Sequence, residues 1–116
     1  MNTVLLIGNL ASDVELRDVA GGKKVAGFLL AVDRPSAEGG ADFVRVSVWD
    51  RQAELCSEYL AKGRLIALDG YLRSRSWEED GKRRSAVEVV GRRVRFLDGP
   101  RNGEGAEVIP FEAAAS

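Results

Sequence analysis

Asp42-Phe43-Val44-Arg45-Val46-Ser47-Val48-Trp49-Asp50 reads as a strand with two unlike faces. Side chains alternate across a strand with a period of two. Val44, Val46 and Val48 fall on one side and make a core face. Phe43, Arg45, Ser47 and Trp49 fall on the other, and two aromatics beside an arginine there are costly to explain as packing. The stretch from Ile66 to Trp77 repeats the arrangement. Ile66, Leu68, Gly70 and Leu72 share one face, while Tyr71, Arg73, Arg75 and Trp77 share the opposite one.

That interleaving has a chemical use. Unpaired bases expose π-faces, and each stacked base contributes roughly 1–3 kcal/mol in a sequence-tolerant way. Arginine adds phosphate contacts and cation–π attraction. Aromatics alone would suit any apolar ligand, and arginines alone any polyanion; alternated on one sheet face they suit a single strand of nucleic acid. The competing reading is that these aromatics pack under a loop or in a subunit interface. Trp77 by itself could also pack on its own hairpin.

Short apolar runs alternate with turn signals along residues 1–97. Strands are expected over Thr3–Asn9, Val14–Val19, Lys24–Arg34, Asp42–Trp49, Arg64–Arg75 and Ser85–Leu97, punctuated by Gly21-Gly22, Gly39-Gly40 and Asp80-Gly81. One helix is expected over Arg51–Lys62, with Asp50 as N-cap and Gly63 just past its end. Leu55, Cys56, Tyr59 and Leu60 share its apolar face. This order predicts an all-β fold, a five-stranded OB-fold Greek-key barrel with one helix between the third and fourth main strands. Val14–Val19 would continue the first strand after a bend.

In the hairpin tip Trp77 to Arg84, the basic arm ending in Arg84 could follow phosphates, or the whole tip could be a solvated turn with its charges paired. Alternation puts Arg93 and Arg95 on one face and Arg92 opposite, unless Gly91 marks a bulge.

The 116 residues fit one domain with a tail. The net charge of −1 argues against a nucleic-acid partner until its distribution is read. Asp98, Glu104, Glu107 and Glu112 against Arg101 give residues 98–116 a charge of −3, which leaves +2 on residues 1–97. Periodicity stops at Asp98, so residues 1–97 are expected to be the binding domain and 98–116 a flexible acidic tail.

The chain has no histidine, the commonest general base and transition-metal ligand. Its single cysteine, Cys56, lies on the apolar helix face and reads as core. Glu78-Glu79-Asp80 could hold Mg²⁺ only if the acids converged, and a hairpin tip does not make them converge. No enzyme activity, cofactor or metal is expected. No apolar stretch approaches the ~20 residues of a membrane span, and no secretory signal is visible, so a cytoplasmic, nucleoid-associated protein is expected.

Several stretches resemble the bacterial single-stranded-DNA-binding protein family. They are Asn2 to Leu10, Asp13 to Arg17, Ala53-Glu54-Leu55, Glu58 to Gly63, Asp69 to Trp77 and Glu88-Val89-Val90. The resemblance implies an OB-fold homotetramer that coats and protects single-stranded DNA in replication, repair and recombination. It puts family stacking positions at Phe43, Trp49 and Trp77. Three stretches depart from the family pattern. Arg34-Pro35-Ser36-Ala37 has no aromatic where members often carry a tryptophan, which predicts weaker stacking there. Val44 stands where members often have a histidine near subunit contacts. The family's acidic C-terminal tip, which docks replication and repair proteins, survives as Ile109-Pro110-Phe111, but five residues follow the phenylalanine. The alternative to strand binding is an OB-fold interaction module or a primosome-type accessory protein with weak single-strand binding.

Overall fold

The computed structural model describes residues 1–97. The expectations for an acidic tail and for a docking tip at Ile109, Pro110 and Phe111 lie outside the described residues. Seven elements follow in order: β1 (Val4–Leu10), β2 (Glu15–Val19), β3 (Lys23–Asp33), β4 (Ala41–Trp49), α1 (Asp50–Tyr59), β5 (Leu65–Glu79) and β6 (Lys82–Phe96). A 3₁₀ turn at Ala20–Gly22 joins β2 to β3.

The strands are hydrogen-bonded in the order β1-β5-β6-β4-β3-β2, and β1 also pairs with β3, so the ladder returns on itself as a ring. The pairs are antiparallel except β4 with β6, which run parallel through Val46 opposite Val89 and Ser47 opposite Val90. This is the five-stranded barrel expected from the sequence. β1 and β2 both lie along β3, Asn9 and Leu10 opposite Ala31 and Leu30, then Glu15–Val19 opposite Gly27–Lys23. The second is therefore the first continued after a bend. Ser12 makes the bend affordable, because its hydroxyl oxygen accepts the Leu29 N–H at 2.9 Å where a ladder partner is missing.

Closing the ring turns one face of β1, β3, β4, β5 and β6 inward. Leu10, Phe28, Leu30, Val46, Val48, Ile66, Leu68, Val94 and Phe96 fill it. Helix α1 plugs it with Ala53, Leu55 and Cys56, and Leu60 follows just beyond its end. Burial pushes the Cys56 thiol up to about 12, in keeping with a core side chain.

Two helix expectations are corrected. The helix begins at Asp50 with Trp49 before it, and no side chain caps it. Asp50 itself sits in the left-handed region at φ 55°, so its carboxylate does not serve as an N-cap. The helix also stops at Tyr59, earlier than Lys62. Leu60 is extended, and a turn follows in which the Arg64 N–H bonds the Ala61 carbonyl and Gly63 supplies a φ of 98°. The chain must drop here to start β5, and the Gly63 N–H is held by the Leu10 carbonyl of β1.

Leu72 keeps to the side of β5 that Ile66 and Leu68 turn inward, yet it is 47% exposed. Beyond it β5 and β6 leave the ring as a two-stranded arm, closed by Asp80 and Gly81 at φ 53° and 76°. Both values are positive, as a two-residue hairpin turn of the primed type requires. Asn2 braces the base of the arm, its side-chain amide bonding both the N–H and the carbonyl of Leu72. Among the described residues, no helix is long and apolar enough to cross a membrane.

Candidate nucleic-acid interface

Pairing register decides which side chains meet on the outer face of the ring. In the β5–β6 ladder Tyr71 opposes Val90, Arg73 opposes Glu88, Arg75 opposes Ala86 and Trp77 opposes Arg84. Directly opposed residues share a face. Tyr71, Arg73, Arg75, Trp77, Arg84 and Glu88 therefore stand on one side. The parallel pairing of Ser47 with Val90 brings Arg45, Ser47 and Trp49 of β4 onto the same surface. Two strands distant in sequence thus contribute to one continuous face.

Three adjoining hollows run across it. Trp49, Tyr71 and Arg73 line the first with Lys23, Gln52 and Arg92. Arg45, Trp49, Arg73 and Arg75 line the second with Arg17, Ser47 and Glu88. Arg45, Arg75 and Trp77 line the third with Val87 and Glu88. Arginines cover the rings: Arg73 lies 5.5 Å from the Trp49 centroid, Arg75 4.9 Å from Trp77 and Arg92 4.9 Å from Tyr71. A guanidinium has five donors, so one that lies over a ring keeps donors to spare.

Arg45 reaches across Gly27 of β3, where a Cβ would stand 3.4 Å from its Nη2. Phe43 lies on the same side of β4 but lines none of these hollows, and it is 66% exposed. Arg84 stands opposite Trp77, with its Nε 3.6 Å from the Glu79 carboxylate. Both side chains of this ion pair are exposed, and Trp77 lies within β5.

The structure adds Arg92, Lys23, Arg17 and Glu88 to the residues expected from sequence. Arg92 arrives through a bulge. Asp69 opposes Arg93 but Gly70 opposes Gly91, so Arg92 has no opposite number and swings to the Tyr71 side. Gly91 was the sequence signal for it. Gln52 of α1 fixes the bulge by donating to the Arg92 carbonyl at 2.7 Å. Arg93 turns the other way and pairs with Asp69 at 3.4 Å.

Glu88 is the buried acid of this surface. Burial pushes its carboxyl up, but the hydrogen bonds from Arg73 and Ser47 and the charges of Arg73 and Arg75 outweigh burial and hold it below the ordinary glutamate value.

A ring of five strands with one helix between β4 and β5, carrying an aromatic and cationic outer face, is an OB-fold barrel. The sequence profile of the Single-strand binding protein family matches residues 1–97, and the chain belongs to that family. The single-stranded DNA-binding protein of Bacillus cereus is 45% identical over 121 residues, spanning 100% of this chain and 71% of that protein. That of Clostridium tetani is 44% identical, spanning 92% of this chain and 78% of its own length. Single-stranded DNA-binding protein A of Bacillus subtilis is 42% identical, spanning 91% and 64%. Among solved structures, a Plasmodium falciparum SSB in complex with single-stranded DNA superposes with a TM-score of 0.76 at 28% identity, covering 84% of this chain and 96% of that one.

Proposed function

We propose that this chain binds single-stranded DNA without regard to sequence and protects it during replication, repair and recombination, as a cytoplasmic, nucleoid-associated protein without catalytic activity. Phe43, Trp49, Tyr71 and Trp77 stack bases. Arg45, Arg73, Arg75, Arg92 and, once freed from Glu79, Arg84 hold phosphates. Family membership supports the ligand. The observation that carries the residue assignment is the placement of arginines over Trp49, Trp77 and Tyr71 on one continuous face.

Residues 1–97 act as the binding domain, and the stretch beyond carries Ile109-Pro110-Phe111 as a docking tip for replication and repair proteins. The chain works as a homotetramer. In support, Leu5 and Ile7 project from the outer side of β1 at 75% and 60% exposure, beside Ala67 and Arg93. Exposed leucine and isoleucine side by side on the outer face of one strand suit a second copy.

Fluorescence anisotropy with a labelled oligo-dT, against a duplex of equal length, tests the ligand. Saturable binding of the single strand with much weaker duplex binding is expected. Equal affinity for both would leave a general polyanion surface and remove the stacking role.

A further inference from the structure

Glu88 is out of place on a surface built for a polyanion. Its side chain is 5% exposed, and it stands opposite Arg73 in the middle of the aromatic face. One carboxylate oxygen, Oε2, accepts from Arg73 Nη2 at 2.7 Å and from Ser47 Oγ at 3.1 Å. The other, Oε1, lies 3.6 Å from Arg75 Nη1. Glu88 thus divides its two oxygens between two arginines of β5. Those same guanidiniums lie over Trp49 and Trp77.

Two consequences of opposite sign follow. By charge alone, a carboxylate here repels phosphate and cancels one arginine. By geometry, it holds two long side chains that would otherwise sample many rotamers, so they meet the strand already ordered. The arginine side chains remain 42% and 44% exposed, so the anchoring leaves their outer N–H groups open to a ligand. A guanidinium has five donors and gives up only part of that set to the carboxylate. Burial also argues that the carboxylate stays where it is, because an ionised group this deep is held only by such partners.

We propose that Glu88 is a positioning residue for strand binding. Its buried carboxylate is the common anchor that aims Arg73 and Arg75 and seats them against Trp49 and Trp77. This rests on the single-strand reading above.

The test is Glu88→Gln, titrated with oligo-dT at moderate salt by tryptophan fluorescence and anisotropy, with a thermal melt to show that the variant is folded. The substitution removes one negative charge from the face. Net charge alone would tighten binding. Positioning predicts the reverse, a loss of about 5-fold or more from two arginines left unordered, together with a smaller maximal quenching. Equal or tighter binding, or undiminished quenching, would overturn the proposal. Wild-type protein runs in parallel, and its failure to bind oligo-dT would sink the single-strand reading itself. Should Glu88→Gln not fold, Arg73→Lys replaces it, keeping the charge but not the planar fork. Reduced quenching with an unchanged salt slope is then expected, and full quenching would overturn the anchor.

Discussion

Phe43 separates binding from folding better than any other aromatic of the face. It is 66% exposed and outside the core, so Phe43→Ala should leave the melting temperature nearly unchanged. If it stacks one base, oligo-dT affinity should still fall by roughly 1–3 kcal/mol. Trp49 is half-buried, so Trp49→Ala should remove buried ring surface and weaken both folding and binding. Glu88 gives a pH signature. Its folded pKa lies below its unfolded one, so it contributes stability that is complete above the ordinary glutamate range and is lost as pH falls through the folded value. Melts taken from neutrality to below about pH 4 should therefore show a shallower acid loss in Glu88→Gln than in wild type. An identical acid limb would mean the carboxylate contributes nothing to stability.

At the scale of the element, the bulge opposite Gly70 couples fold to site. A Cβ on Gly70 would overlap the Val90 carbonyl, and backbone cannot yield as a flexible side chain would. Gly70→Ala should cost about 1–3 kcal/mol in a denaturant titration, and by disturbing the bulge it should also move Arg92 off Tyr71. Much of this architecture was legible in the sequence, because alternation is local. Val46 and Val48 lie fully buried with Ser47, Arg45 and Phe43 on the other side, as their period of two requires. What stayed hidden depends on pairing. Nothing near Glu88 in sequence says that it faces Arg73; only the β5–β6 register does. Arg92 needed the bulge, which Gly91 hinted at without fixing. The exposure of Leu72 was hidden too, because alternation tells which side a residue takes, not where the barrel ends and the arm begins. The Asp50 cap failed because the chain enters α1 through a left-handed residue, which composition does not show.

At the scale of the whole molecule, charge and apolar surface set the behaviour. Residues 1–97 carry only +2, yet Arg17, Lys23, Arg45, Arg73, Arg75 and Arg92 line adjoining hollows of one face. Neutralising about three to five phosphates should give a log–log salt slope of about −2 to −3.5 for single strands. A slope near zero would remove the arginines from the binding account. The exposed Leu5 and Ile7 should matter to assembly, so Leu5→Glu with Ile7→Glu is expected to lower the mass measured by light scattering while the barrel stays folded. Unchanged mass would place self-association elsewhere.

The central claim is that bases stack on this face while its arginines hold the phosphates. The most direct measurement is a tryptophan-fluorescence titration with oligo-dT at low and at moderate salt. Only Trp49 and Trp77 can report, and both line the face. Strong, saturable quenching is expected, with a midpoint that moves to higher strand concentration as salt rises. Binding detected by anisotropy with no change in tryptophan emission would contradict it, because the strand would then pass without touching the rings.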